Sequence, residues 1–428
     1  MCRTTPGRRN GPARPGRVRR APTACWLSAA LLAACCGCDQ MEEPPRPAPP
    51  PTTTYPVPAI RVLLTGPDDP EARIATTGGY RLEADGRAIA ESDRALGPVA
   101  VRREAGGWRI GSGQAEGREL RLRPHEGSHF RLNETTYRGW LRLLPGEGEG
   151  LEAVNHVDIE EYLAGVLAKE LYRTWHIEAY RALAVAARTF ALYQMATFGP
   201  AHEYDLGDSQ ASQVYGGLDG ETSTSRQAVD DTRGVVLSCG EPGRERIFLA
   251  QYSACCGGRV NGAYVIRNAN RIEPLMGGQE CTDCSGCSRY RWPTVRVAKR
   301  DIHRALLRRY TAAAGLGGVS RIDVATETPH GRAVWTDVIG PTGQKLRVRA
   351  EDIRLSLLYA GVPAAKGLNS MNCRLVDRGG SIEFADGRGF GHGVGLCQWG
   401  AQAKAQRGLT AEGILAFYYP GARLYRVH

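Results

Sequence analysis

The fold is decided by the stretch DIEEYLAGVLAKE, residues 158–170, because the sequence changes there from strand-like to helical. Asp158 is a favourable N-cap residue, and Glu161 stands at the N3 position of a capping box. The apolar residues at helical spacing are Ile159, Leu163, Val166 and Leu167. Glu170 continues the same face, so the stretch predicts a helix that ends with a carboxylate on its apolar side.

A second helix is predicted to start near residues 174–177 and to continue to Ala191. Alanine is frequent in it, for example at Ala182 and Ala186, and such small side chains let a helix pack closely against a neighbour. We expect that neighbour to be the first helix.

Upstream of residue 158 the sequence reads as short strands separated by clusters of glycine, proline and aspartate. The predicted strands are 60–64, 80–84, 99–102, 107–110, 120–123 and 140–144. The predicted fold class is therefore α+β, a β-rich body with a two-helix segment and loops stapled by disulfides or a metal. We divide it into a β-rich N-terminal part at 59–155 and a second part at 156–428.

The formal net charge of +10 raises the question of a nucleic-acid or membrane partner. Residues 1–34 hold seven arginines and no acidic residue, so the rest of the chain carries only +3. Because the basic residues are concentrated in a leader, we expect no nucleic-acid partner.

The leader has the layout of a secretory signal peptide, with a basic segment followed by an apolar segment at 26–34. Nine apolar residues are too few to span a bilayer, which needs about 20. The string Leu32-Ala33-Ala34-Cys35 resembles a bacterial lipobox, so we expect residues 1–34 to be removed and Cys35 to carry a lipid that binds the membrane. The alternative is an ordinary signal peptide cleaved near Ala34. Either way, export to the cell envelope is predicted.

Residues 35–58 are rich in proline, which favours the extended polyproline II conformation. We interpret this segment as a semi-rigid spacer between the lipid and the folded part. The alternative is a tail without function.

Glu170 is the first candidate for chemistry. A carboxylate at this place is either solvated at the helix end or held in a partly desolvated pocket, where its pKa would rise as a general acid requires. Tyr172 and Trp175 follow it, and aromatic side chains commonly form platforms for sugar rings. Most glutamates are surface residues, so the pattern alone permits catalysis without requiring it.

Four blocks together resemble the stage II sporulation protein D family, which includes amidase-enhancer proteins. The first block is residues 157–191, with Glu170, Arg188 and both predicted helices. The second combines Asp205 and Asp208 with Gln213-Val214-Tyr215-Gly216-Gly217, and the third is Tyr252-Ser253-Ala254-Cys255-Cys256-Gly257-Gly258. The fourth is residues 387–401, GRGFGHGVGLCQWGA, followed by Tyr418-Tyr419-Pro420-Gly421. The blocks occur in family order across most of residues 59–425.

The resemblance implies a lytic transglycosylase that cleaves peptidoglycan glycan strands, preferably strands without stem peptides, with Glu170 as the catalytic residue. A single carboxylate is chemically sufficient, because the muramic acid's own C6 hydroxyl can attack C1 and form a 1,6-anhydro ring. Hydrolysis would instead require a second carboxylate. No cofactor is required by this mechanism. From these blocks we expect substrate contacts from Arg188, Gln213, Tyr215, Ser253, His392 and Gln398.

Two of these residues have open alternatives. His392, flanked by glycines that permit positive φ, could support the substrate site or simply stabilise a tight loop, and a metal role is the least favoured. Arg188 could pair with the lactyl carboxylate of muramic acid or form a surface bridge to Glu178 or Asp208.

The cysteines pose a separate question. Cys281, Cys284 and Cys287 lie downstream of the neighbouring pair Cys255 and Cys256. Such spacing suits zinc, but in an exported protein disulfides are more common, and we favour disulfides over zinc. In some relatives one histidine and two cysteines before the Gln-x-Tyr motif bind zinc. The corresponding residues 202–210 contain no cysteine, so we expect that particular zinc site to be absent.

A second function from another class stays open, that of a non-catalytic wall-binding protein that stimulates a cell-wall amidase. Glu170 and the glycine–histidine loop favour the enzyme, since a binding protein does not need the carboxylate. A zinc hydrolase is disfavoured, because no histidine and carboxylate occur with the helical spacing of its usual ligands.

Overall fold

The computed structural model describes residues 57–428 except 67–68, 105, 209–211, 242 and 267–270. The predicted signal peptide, Cys35 and nearly all of the spacer lie outside the described residues. Strands and helices are both present, which confirms the α+β class. None of the helices in the described part combines the length and apolar composition needed to cross a membrane.

Twelve strands precede the first helix, pair antiparallel with one another and form most of two sheets. They are β1 (Ala59–Leu63), β2 (Glu71–Thr76), β3 (Tyr80–Ala84), β4 (Arg87–Ser92), β5 (Val99–Glu104), β6 (Gly107–Ile110), β7 (Gly113–Glu116), β8 (Leu120–Pro124), β9 (Phe130–Leu132), β10 (Thr135–Tyr137), β11 (Trp140–Pro145) and β12 (Leu151–Asp158). The six predicted strands are confirmed within two residues at each end, and six others were not predicted. The six-stranded sheet has the order β10-β9-β2-β5-β6-β7.

Seven α-helices lie within the described residues. They are α1 (Ile159–Glu170), α2 (Ile177–Thr197), α3 (Ser223–Asp231), α4 (Lys299–Leu307), α5 (Ala350–Tyr359), α6 (Gln398–Gln406) and α7 (Ala411–Tyr418). Helix α2 packs against α1, as predicted, and also against α3, α6 and α7. Its alanines Ala182 and Ala186 are fully buried, so the close packing expected of them is observed.

The start of α1 differs in one respect from the prediction. Asp158 caps the helix, but its Oδ1 accepts a hydrogen bond from the N–H of Glu160 at 2.7 Å. Glu161 forms ion pairs with Arg138 and Arg226 instead of folding back on the cap. The capping box is therefore incomplete, because two arginines compete for the Glu161 carboxylate. The predicted apolar stripe is fully buried.

The strands after α2 are short. They are β13 (Leu206–Gly207), β14 (Val235–Cys239), β15 (Arg246–Ile247), β16 (Tyr252–Ser253), β17 (Gly258–Arg259), β18 (Glu280–Cys281), β19 (Arg291–Trp292), β20 (Val295–Ala298), β21 (Arg321–Glu327), β22 (Ala333–Ile339), β23 (Lys345–Arg349), β24 (Arg374–Asp377), β25 (Ser381–Ala385), β26 (Gly387–Arg388), β27 (Leu396–Cys397) and β28 (Arg423–Arg426). Strand β13 joins the seven-stranded sheet, whose order is β13-β1-β12-β11-β8-β3-β4.

Two hydrophobic cores result. The larger core joins the first two sheets to α1, α2, α6 and α7, and the smaller core lies beneath α4, α5 and the strands β20–β25. Between them runs the glycine-rich loop that links β26 to β27. Strand β27 pairs in parallel with β16, Tyr252 opposite Leu396 and Ser253 opposite Cys397, which brings this loop to the end of α1.

Candidate active site

Glu170 is the last residue of α1, and its carboxylate is held from two directions. Its Oε2 accepts a hydrogen bond from Nε2 of Gln398 at 2.8 Å, and its Oε1 accepts one from the N–H of Val214 at 3.3 Å. The residue is partly exposed, whereas residues 162–167 of the same helix are all buried. The carboxylate is thus fixed in position and still accessible to a ligand.

Burial raises the pKa of Glu170 above its ordinary value of 4.5, and the hydrogen bonds from Gln398 and Val214 counteract part of this rise. The net effect favours the protonated acid compared with a glutamate in water. A raised pKa of this kind is what a general acid requires.

Gln398 is the first residue of α6, and its position depends on two neighbouring contacts. Cys397 precedes it in the strand that pairs with β16, and Gln402 lies one helical turn later. The Oε1 of Gln402 accepts a hydrogen bond at 2.8 Å from the N–H of His176, the N-cap residue of α2. Helix α6 therefore binds both the end of α1 and the start of α2, so Gln398 positions Glu170.

Gln213 is fully buried and links two tyrosines beneath the site. Its Oε1 accepts a hydrogen bond from the hydroxyl of Tyr162, and its Nε2 donates to the hydroxyl of Tyr252, both at 3.0 Å. The negative charge of Glu170 contributes to raising the pKa of both tyrosines, which burial raises most, so both hydroxyls stay protonated. We expected Gln213 to contact substrate, but its side chain is enclosed in the core and supports the site from below.

Tyr215 is buried as well, and its hydroxyl donates to Oδ1 of Asn155 at 3.2 Å. Its ring lies so close to α1 that a Cβ at Gly165 would be 2.8 Å from it. The expected substrate contact of Tyr215 is therefore wrong, because the ring is packed into the body.

The backbone N–H of Tyr215 donates to Oδ1 of Asp208 at 2.8 Å. Asp208 and Glu170 thus accept from adjacent backbone amides, and burial raises the pKa of Asp208.

The glycine-rich loop carries His392. As predicted, Gly389, Gly391, Gly393 and Gly395 all have positive φ. At Gly395 a Cβ would collide with the carbonyl oxygen of Gln251, so the loop can lie close to that strand only with glycine there. The N–H of Gly393 donates to the hydroxyl of Ser253 at 3.1 Å. Ser253 is mostly buried and therefore anchors the loop.

The imidazole of His392 accepts at Nδ1 from the N–H of Val394 at 3.0 Å and also bonds to the backbone of Tyr252. Burial lowers the pKa of His392 to about 4, and the nearby Arg332 and Arg354 act in the same direction against Glu351. The ring is therefore neutral near pH 7. Its bond to the backbone of Tyr252 connects it to the site, since the Tyr252 hydroxyl accepts from Gln213 and is affected by the charge of Glu170.

Three aromatic rings surround the connection between α1 and α2. Ring centroids lie 5.3 Å apart for Tyr172 and Trp175, 5.1 Å for Trp175 and Trp399, and 5.8 Å for Tyr172 and Trp399. Tyr172 is 62% exposed, unusual for a large aromatic side chain. Trp399 adjoins Gln398 in sequence, and its part in this cluster was not predicted.

Arg188 is not part of the site. It is completely buried, and its guanidinium makes a two-pronged ion pair with Glu160, with N–O distances of 2.6 and 2.9 Å. Glu160 also accepts from the N–H of Gly234 and contacts Nε2 of His428. The predicted substrate contact is therefore wrong, and so are the alternative bridges to Glu178 and Asp208. The physical reason is that Glu160, in the first turn of α1, neutralises Arg188 inside the core.

The cysteines also differ from the prediction. The eight cysteines within the described residues are all free in the structure, so the favoured disulfides are not observed. Seven of them are buried. Cys255 and Cys287 lie beside a group formed by Cys256, Cys281 and Cys284, and the group is joined by Cys397 from the end of β27.

One cleft in the described part of the chain does not include Glu170 in its lining. It has a volume of about 520 Å³ and is lined by Arg259, Tyr290, Arg374 and Arg388, among others. The smaller second cleft, of about 270 Å³, is lined by Trp175, Trp399 and Gln402 and adjoins the aromatic cluster.

Several known proteins with related names are similar to this chain. Residues 147–238, which include Glu170 and Gln213, match a family model described as stage II sporulation protein. The chain is 30% identical over 292 residues to an uncharacterized protein of Brachyspira hyodysenteriae, which covers 68% of this chain and 73% of that protein. It is 30% identical over 288 residues to stage II sporulation protein D of Bacillus subtilis, covering 64% and 76%. It is 25% identical over 308 residues to the amidase enhancer of Bacillus subtilis, covering 61% of this chain and 40% of the enhancer.

Proposed function

We propose that this chain, which belongs to the stage II sporulation protein D family, is a lytic transglycosylase that cleaves the muramic acid–glucosamine bond of peptidoglycan glycan strands. The observation that carries the proposal is Glu170, a partly exposed carboxylate with a raised pKa that two hydrogen bonds hold in place. The neighbouring aromatic cluster of Tyr172, Trp175 and Trp399 offers sugar rings an apolar surface.

In the proposed reaction, protonated Glu170 donates its proton to the glycosidic oxygen as the bond to C1 of muramic acid breaks. The C6 hydroxyl of the same sugar attacks C1, and its proton passes to the Glu170 carboxylate. The acid is thereby restored, and the products are a free glucosamine hydroxyl and a 1,6-anhydro end. Because nucleophile and electrophile belong to one sugar, part of the entropic cost is already met by the substrate.

The same proposal places the protein in the cell envelope. Residues 1–34 would direct export, and a lipid on Cys35 would hold the protein at a membrane with residues 35–58 as spacer. Strands without stem peptides are the proposed substrates, because the resemblance implies that preference.

The experiment compares purified wild-type protein with Glu170→Gln on peptide-free glycan strands. We expect wild type to release 1,6-anhydro ends, detected by mass spectrometry, and the variant to lose about 10²–10⁴-fold in rate, the usual contribution of a general acid–base residue. Glu161→Gln is the matched control, since Glu161 lies on the same helix but pairs with Arg138 and Arg226. Equal release by wild type and Glu170→Gln would refute the assignment.

A non-catalytic role is the second candidate, and the similarity to the amidase enhancer favours it. In that case neither wild type nor Glu170→Gln releases anhydro ends, but both increase the release of stem peptides by a cell-wall amidase. Adding such an amidase to intact peptidoglycan in the same assay separates the two functions.

A further inference from the structure

Four buried cysteines converge on one point behind the aromatic cluster. The Sγ atoms of Cys256, Cys281, Cys284 and Cys397 all lie within 4.8 Å of one another. Each of these residues is at most 1% exposed. They come from three separate segments, the turn after β16, the stretch at 281–284 and the end of β27, so the tertiary fold itself assembles the group.

The arrangement suits a tetrahedral metal better than disulfides. Zinc binds four thiolates at about 2.3 Å, which places the sulfurs about 3.8 Å apart along each tetrahedral edge. The Sγ atoms of Cys256 and Cys284 are 3.6 Å apart, close to that value. The spacing Cys281-x2-Cys284 is also the common spacing of zinc ligands. Two disulfides would group the four sulfurs into two separate bonded pairs, whereas the four Sγ atoms here lie around one common point.

Hydrogen-bond donors point at the sulfurs. The N–H of Cys256 donates to Sγ of Cys397 at 3.3 Å, and the hydroxyl of Tyr418 lies 3.1 Å from Sγ of Cys281. Outer contacts of this kind orient metal ligands and stabilise thiolates. Gly400 on α6 leaves room for the Tyr418 hydroxyl and for Sγ of Cys281, since a Cβ there would collide with both.

We propose that Cys256, Cys281, Cys284 and Cys397 bind one zinc ion that stabilises the fold. Four protein ligands complete the tetrahedron and leave no position for water, so the role of the ion is structural. Cys397 is the N-cap residue of α6 and directly precedes Gln398. The ion therefore fixes the start of the helix whose first residue holds Glu170 in position.

The test uses the full chain purified without added reductant. We expect about one zinc per chain by elemental analysis, and X-ray absorption at the zinc edge should show four sulfurs at about 2.3 Å. Alkylation of the denatured protein after chelation should modify all four cysteines. If the four cysteines resist alkylation until a reductant is added, or if the ion found is iron, the proposal is wrong.

Variants locate the ion. Cys284→Ser should lose the zinc, whereas Cys373→Ser should retain it, because Cys373 is also buried but lies in the other core. Retention of zinc by Cys284→Ser would overturn the assignment. Should Cys284→Ser not fold, the metal content and absorption spectrum of wild type still decide the question. None of these measurements depends on glycan cleavage, so their outcome is separate from that of the proposed function.

Discussion

Gln398 donates a hydrogen bond to the Glu170 carboxylate at 2.8 Å from a position 228 residues further along the chain. This bond favours the charged form of Glu170 and so lowers a pKa that burial raises. The two effects oppose each other, and their balance sets the pH range in which Glu170 can donate a proton.

Gln398→Ala should shift the pH profile of glycan cleavage. Without the bond, the pKa of Glu170 rises further, so the limb on which activity falls with increasing pH should move to higher pH. We also expect the maximal rate to fall about ten-fold or more, because the carboxylate loses its orientation. Initial rates from pH 4 to pH 9 measure both effects. Gln114→Ala is the control, because Gln114 donates to Glu104 in the six-stranded sheet and has no contact with Glu170 or α6. Identical profiles for the two variants would contradict the positioning role.

Glu170→Gln should make the protein more stable at neutral pH. The folded-state pKa of Glu170 lies above the ordinary 4.5, so between these two values the folded state holds more protons than the unfolded state. Stability is therefore lost as pH rises through that window. A neutral glutamine avoids this loss, and its melting temperature should exceed that of wild type by a few degrees at pH 7 and match it near pH 4. Glu161→Gln should show no such gain, since it gives up two ion pairs.

Arg188→Ala should destabilise the fold without a specific effect on substrate binding. The substitution leaves Glu160 charged and buried, which costs about 3–5 kcal/mol. Arg181 on the same helix pairs with Asp231 closer to the surface, and Arg181→Ala should cost only about 0–1 kcal/mol. Urea unfolding followed by circular dichroism measures the difference. An Arg188→Ala protein as stable as wild type but weaker in glycan binding would restore the original substrate hypothesis.

Trp399→Ala should weaken binding of glycan strands about ten-fold, through a higher KM with a smaller change in kcat. The reason is that Trp399 forms an aromatic cluster with Tyr172 and Trp175 beside Glu170. Trp335→Ala is the matched control, because Trp335 stacks on Arg349 elsewhere in the molecule. Co-sedimentation with insoluble peptidoglycan provides a second measurement. Equal loss in both variants would indicate a general effect of removing tryptophan.

The two site helices were predictable because caps and apolar spacing are local properties of the sequence. Strand β12 was not predicted, since its run includes the polar residue Asn155, which becomes buried only by pairing with Tyr215. Strand β4 is largely exposed and rich in small and charged residues, so its extended conformation follows from pairing with β3. Both strands depend on partners that no local pattern reveals.

The candidate site was likewise predictable only in part from the sequence. Position on α1 made Glu170 a candidate, and the family blocks identified His392 and Gln398, but their contacts follow from the tertiary structure. Arg188 illustrates the limit, because a buried arginine and an exposed one look alike in sequence. The cysteines illustrate another, since Cys397 lies 110 or more residues from the other three and was not grouped with them.

The long separation between Glu170 and Gln398 also bears on when the molecule can first act. During synthesis Glu170 is made early, and helix α1 can form before the C-terminal half of the chain has been synthesised. Gln398, Trp399 and Cys397 are made only after more than two hundred further residues. A nascent or truncated chain would therefore carry Glu170 without the hydrogen bond from Gln398, and the proposed cleavage activity would arise only after the late segment packs against the early one.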